Sequence, residues 1–156
     1  MKVRLASPTE AKRLWLIRNQ AIRHGCKTSY DPETICNWTP DEMPLSYISM
    51  VENNPFFVAV NERDEAISTG FLNLESNSID AIFTLPEYMG HGAAGLILDA
   101  IKAEAKKRKI NTLTLDSSPN AERFYQKHGF TSIRHDNYYS VLAQTNLACI
   151  HMKIAL

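Results

Sequence analysis

The run Leu85-Pro86-Glu87-Tyr88-Met89-Gly90-His91-Gly92-Ala93-Ala94-Gly95-Leu96 concentrates the residue types most suited to chemistry. Gly90, Gly92 and Gly95, with two alanines among them, let backbone approach a ligand and present a row of N–H groups. At the start of a helix such donors sit at the positive end of the dipole, a setting for a phosphate or pyrophosphate. No P-loop lysine and no acidic Rossmann partner follows these glycines, which argues against a generic nucleotide-binding domain. Other tempting residues have the wrong spacing. His24, Cys26 and Cys36 lack a fourth zinc ligand, so no metal site is expected. Cys149 and His151 are set aside as a nucleophile pair because strand neighbours point to opposite faces.

The elements that must hold the loop are readable on both sides of it. Ser78 to Leu85 is rich in β-branched and aromatic residues and is stopped by Pro86, so it reads as a strand. Ala93, Leu96, Ile97, Ala100, Ile101, Glu104 and Ala105 recur at helical spacing after it. Lys106 to Lys109 then form a charged helix end, where cations favour the dipole. Earlier, Lys2 to Leu5 is a short strand, and Ser7-Pro8-Thr9-Glu10 has the form of a capping box. The helix it starts buries Ala11, Leu14, Trp15, Ile17, the Arg18 stem, Ala21 and Ile22, and ends at Gly25. A short helix runs from Asp31 to about Trp38, and Thr39 to Asn54 reads as irregular or only partly helical. Phe56 to Val60 and Ile67 to Leu74 are strands around a turn at 61–65. Thr112 to Leu115 is another. Ser118-Pro119 opens a short helix, serine as cap, which Gly129 closes. Phe130 to Arg134 and Cys149 to Ile154 are the last strands, with polar residues 136–146 between them. The order implies an α/β domain with a mixed sheet.

Composition narrows the function classes. At 156 residues the chain has the length of one domain, 1–156, with a real core. Seventeen Lys and Arg balance seventeen Asp and Glu, which gives no electrostatic case for nucleic acid or a membrane surface. Met1 to Thr9 lacks a secretory apolar core, and no apolar run approaches membrane-spanning length. Three cysteines without paired spacing suit free thiols in a cytoplasmic protein.

Two blocks taken together resemble the GCN5-related N-acetyltransferase (GNAT) superfamily. Ile79 to Phe83 through Pro86 to Ala94 is similar to its acyl-CoA loop, Q/R-x-x-G-x-G/A. Ala121-Glu122-Arg123-Phe124-Tyr125-Gln126-Lys127-His128-Gly129-Phe130 is similar to its late A-x-x-F/L-Y-x-x-x-G-F helix and turn. Weaker similarity covers the rest of the chain. Met89 stands where the family usually has Gln or Arg, and Ser118 where it often has Asn.

The resemblance implies a GNAT-like, mostly antiparallel sheet flanked by helices, and transfer of acetyl from acetyl-CoA to an amine in a ternary complex. Met89, Gly90, His91, Gly92, Ala93 and Ala94 would hold the CoA pyrophosphate, and Ser118 would offer the cofactor a hydroxyl. The strand from Ile82 to Leu85 would pair with the pantetheine arm, with backbone N–H groups near Phe83 and Thr84 aimed at the thioester oxygen. Tyr125 would protonate the leaving thiolate. Asp80 is the first candidate to take the amine's proton and Glu75 the second, with solvent as the other possibility. Tyr30, Trp38 and Tyr47 lie in the segment that lines the acceptor cleft in this family. The acceptor is expected to be a small-molecule or peptide amine, and the protein a monomer or homodimer. The alternative is a non-catalytic acyl-CoA-binding or sensor module that keeps the fold.

Overall fold

A computed structural model describes residues 1–156. Its seven strands are β1 (Lys2–Leu5), β2 (Phe56–Val60), β3 (Ala66–Asn73), β4 (Ser78–Thr84), β5 (Thr112–Ser117), β6 (Thr131–Ser140) and β7 (Thr145–Ala155). They form one sheet in the order β1-β2-β3-β4-β5-β7-β6. Every pairing is antiparallel except β4 with β5. Five helices accompany it: α1 (Ala11–Gly25), α2 (Pro32–Trp38), α3 (Leu45–Asn53), α4 (Ala93–Lys107) and α5 (Glu122–Lys127). No helix is long and apolar enough to cross a membrane.

The middle of the sheet carries the core. β2 is buried at every position and β3 at all but Asn73, the pattern of strands covered on both faces. Against them α4 buries Ala93, Ile97, Leu98, Ile101 and Ala105. The apolar stripe is therefore rotated slightly from the one read in the sequence: Leu98 is fully buried and Leu96 is 40% exposed. Gly70 is where α4 comes closest. A Cβ there would lie 2.9 Å from Ile97 Cγ2 and 3.0 Å from Ile82 Cγ1, so only glycine fits without a shift.

Several expectations need adjusting. The capping box at Ser7 and Glu10 is present, but it caps a 3-10 turn that leads into α1. Gly25 is the last helical residue rather than a left-handed cap, with Cys26 as the C-cap. Residues 45–53 form a regular helix, α3, within the stretch 39–54 that the sequence suggested to be irregular or only partly helical. The Ser118 side chain makes no capping bond. The polar stretch 136–146 is mostly strand: β6 and β7 pair from Thr131↔Lys153 to Ser140↔Thr145 and leave only a short turn. β6 is an edge strand exposed along most of its length, so no apolar alternation marks it. All three cysteines are free thiols.

Two irregularities lie side by side in the middle of the sheet. Between Leu72↔Ile79 and Gly70↔Ile82 the β3–β4 register slips, which places a bulge at Asp80 and Ala81. On its other edge β4 pairs with β5 only at Ser78↔Thr114 and Ile79↔Leu115. From Asp80 onward that edge of β4 has no strand partner, and the two strands part.

Candidate active site

The parting of β4 from β5 leaves backbone donors open. Leu85 N donates to Ile67 O at 2.9 Å, which fixes the alternation along β4. Phe83 N–H therefore faces β3, and Phe83 O also accepts from Ser68 Oγ at 2.8 Å. Ile82 and Thr84 turn their N–H groups to the open edge, so of Phe83 and Thr84 only Thr84 offers its amide there.

Tyr125 meets this edge from α5. It is buried, with its ring edge-on to Phe124 (5.2 Å) and Phe130 (5.8 Å). Burial pushes its phenol up to about 12, and a hydrogen bond from the Ile82 backbone opposes that shift. The residue thus has both the packing role and the placement at the strand edge: its ring anchors α5 and its hydroxyl meets β4.

Beyond β4 the chain makes a 3-10 turn at Pro86–Tyr88 and reaches α4 through the glycine loop. Gly90 (φ +80°) and Gly92 (φ +85°) are left-handed, and a Cβ on either would meet open space. Their requirement is conformational, since L side chains rarely adopt that backbone. Gly92 is the N-cap of α4, and no side chain caps the helix. Its first amides, at Ala93, Ala94 and Gly95, are left without intrahelical acceptors. Gly95 lies inside the helix, where a Cβ would stand 3.2 Å from His128 Cε1; it serves packing against α5. Met89 is 38% exposed and makes no side-chain hydrogen bond. His91 Nδ1 lies 3.1 Å from Tyr88 O and 3.0 Å from Met89 O, so it carries the proton and ties the ring to its own loop.

Behind the bulge lies a cavity of about 810 Å³. α1, α2 and α3 contribute Trp15, Arg18, Trp38 and Tyr47, and Tyr138, Val141 and Leu142 reach it from the β6–β7 hairpin tip. Asp80 borders it. Its carboxyl is reached by solvent, yet the cleft withholds much of its water. That burial pushes its pKa up, helped by the charge of Asp116 and opposed by a hydrogen bond from Asn73. Glu75 is exposed on the β3–β4 turn and does not line the cavity.

A polar pair that the sequence analysis did not single out also lies on the cavity wall. His151 Nδ1 lies 2.9 Å from Asp116 Oδ1, and both residues line the cavity. They are opposite each other in the β5–β7 ladder, 35 positions apart in the chain. Only the register brings them together, so no local motif signals the pair. The dismissal of Cys149 also needs a different reason. Residues 149 and 151 are two apart and share a face of the strand. Cys149 is instead no nucleophile because burial and the charges of Asp116 and Asp136 hold its thiol up at about 11, and His151 is turned to Asp116.

Tyr30 is committed elsewhere. Its hydroxyl donates to Ala148 O at 2.6 Å and its ring packs edge-on to Trp38 at 5.6 Å, and it does not line the cavity. Trp38 does line it. Ser118 lies on the cavity wall. No three His, Cys, Asp or Glu side chains converge as metal ligands.

Comparisons with known proteins agree with this architecture. The family model described as an acetyltransferase (GNAT) domain matches residues 26–156. The chain is 24% identical over 135 residues to the uncharacterized N-acetyltransferase YafP of Escherichia coli K12, covering 86% of this chain and 83% of that protein. A GCN5-related N-acetyltransferase of Rhodopseudomonas palustris superposes with a TM-score of 0.89 at 20% identity, covering 99% of this chain and 95% of that one. The PaiA N-acetyltransferase of Thermoplasma acidophilum, in complex with coenzyme A, gives a TM-score of 0.78 at 18% identity, with both chains covered in full.

Proposed function

We infer the reaction from one premise: this chain belongs to the GNAT acetyltransferase family. It is a single-domain acetyltransferase that takes its acetyl group from acetyl-CoA and passes it to an amine by direct attack in a ternary complex. The observation that carries this reading is the open edge of β4 beside Tyr125, running into an uncapped helix start. That edge offers hydrogen bonds to an extended pantetheine, much as an added strand takes them. The glycine loop and the first amides of α4 suit the pyrophosphate.

The chemistry follows from what each group can do. Thr84 N–H, turned to the open edge of β4, polarises the thioester carbonyl, so that negative charge growing on its oxygen meets a fixed donor. The amine nitrogen bonds to the carbonyl carbon, and collapse of the tetrahedral intermediate breaks the C–S bond. Tyr125, which keeps its proton throughout the neutral range, donates to the departing sulfur. The proton that the amine must shed has two receivers on the cavity wall, Asp80 and the Asp116–His151 pair. The acceptor amine, small-molecule or peptide, occupies the cavity, with Trp38 as part of its wall. The protein works as a cytoplasmic monomer or homodimer.

Titration calorimetry with acetyl-CoA on the wild type and on Gly92→Glu tests the donor site. The wild type should bind. The variant should bind at least about 30-fold more weakly, since it combines a strained left-handed glutamate with a charge against the pyrophosphate. Equal affinity in the two proteins would remove the loop from the site. Wild-type protein that does not bind at all would remove the reaction.

A further inference from the structure

We propose that the acceptor carries a carboxylate as well as its amine, and that Arg18 binds that carboxylate; this rests on the acetyl-transfer reading above. Arg18 stands in the cavity wall with its guanidinium 4.3 Å over the Trp15 ring and 5.8 Å from that of Trp38. One nitrogen, Nη1, holds the group in place by donating to Asn19 Oδ1 (2.7 Å) and Trp38 O (3.0 Å). Nε and Nη2 make no hydrogen bond within the protein. No buried side-chain nitrogen of the chain lacks a partner, so these two remain reachable from the cavity. They form the side edge of the guanidinium, the edge whose two parallel N–H groups match the two oxygens of a carboxylate.

The charge environment points the same way. Arg4, Arg23, Arg108 and Arg134 each pair with a carboxylate of the protein, whereas Arg13, Arg18, Arg63 and Arg123 have none within 4 Å, and of these four Arg18 alone lines this cavity. Burial lowers its pKa to about 10, with the nearby phenols of Tyr47 and Tyr138 opposing, which leaves it fully charged at neutral pH. A desolvated cation without a counter-ion is costly, and a ligand carboxylate offsets that cost. The acids of the same cavity, Asp80 and Asp116, stand on β4 and β5. The cavity is thus bipolar: carboxylates where the strands part, a lone guanidinium on α1, and aromatic rings around it. A zwitterionic amino acid, or an amine of similar charge layout, matches both poles.

Trp15 and Trp38 are the chain's two tryptophans and both flank Arg18, so intrinsic fluorescence reports occupancy without turnover. The full chain, saturated with CoA, would be titrated with the twenty N-acetyl-L-amino acids and their carboxamides. In parallel, the free amino acids, their amides and a lysyl peptide with blocked termini would be offered as acceptors. At least one acid should bind, and be acetylated in its free form, about 10- to 100-fold better than its amide. Arg18→Gln should bring acid and amide to within about threefold, and Arg18→Lys should lie between. If Arg18 only braced α1 against α2, its loss would weaken acid and amide alike. Fluorescence that favours acids, without acetylation of any amine, would keep the Arg18 site and overturn the transfer reaction. Acetylation that ignores the carboxylate, or runs as well on the blocked peptide, would keep the reaction and overturn the Arg18 assignment. A wild type whose fluorescence responds to no acid overturns it as well.

Discussion

Along the open edge of β4 and the start of α4, the groups aimed outward are backbone amides fixed by a bulge, two left-handed glycines and a helix terminus. Across the cavity behind Asp80 the functional groups are side chains, drawn from helices near the N-terminus, from β5, and from a hairpin near the C-terminus. A backbone site depends on how a short segment folds, and its sequence signature is continuous. A side-chain site depends on which distant segments the sheet brings together. The first kind suits a constant ligand such as acetyl-CoA; the second can differ from one relative to another while the sheet stays the same.

The largest effect that tests this division should come from Tyr125→Phe. The ring stays packed between Phe124 and Phe130 while the proton is lost, so kcat should fall by about 100-fold with little change in either KM or in the melting temperature. Retention of full kcat would turn Tyr125 into a packing residue and move the acid elsewhere. Gly70→Ala comes next and probes the scaffold both regions share. A new methyl 2.9 Å from Ile97 Cγ2 should cost about 2 kcal/mol, or about 4–8 °C in Tm by calorimetry. An unchanged Tm would mean that α4 can shift outward at little cost.

Asp80→Asn should lower kcat/KM by about 10-fold and flatten the acidic limb of its pH profile. An unchanged limb would assign the proton to Asp116–His151. The sign for stability runs the other way. A carboxyl whose pKa is raised on folding adds stability that is complete below its unfolded pKa and is lost as pH rises through its folded pKa. Above that range the Asn variant should be the more stable protein, and below it the two should converge, as thermal melts across pH would record. Tyr30→Phe should give the smallest change: about 1 kcal/mol of stability from the lost bond to Ala148 O, with KM for the acceptor unaltered. A raised KM would return Tyr30 to the acceptor site.

What the sequence disclosed follows the same division. The loop from Met89 to Ala94 and the strand before Pro86 were legible because glycine and proline act over a few residues, while Tyr125 was singled out by the family resemblance. α3 was legible only in part, since no Ser, Thr, Asp or Asn side chain caps its start at Pro44. The length of β6 was hidden because an exposed edge strand has no apolar alternation to show. The Asp116–His151 pair depends on the β5–β7 register, and Arg18, read as a helix stem, is set apart from the other arginines by the cavity it lines and the two tryptophans beside it, which no local motif announces.

The run of β4 that lies unpaired with β5 beyond Ile79 also bears on how the protein endures heat. The sheet is one segment short there, and under the proposed binding mode a donor molecule that fills the gap would be held only by the folded chain. Such a ligand raises the unfolding free energy by RT ln(1 + [L]/Kd), about 2.7 kcal/mol at a hundredfold excess over Kd. On that binding mode the melting point rises with acetyl-CoA concentration, which thermal melts with and without the cofactor would record.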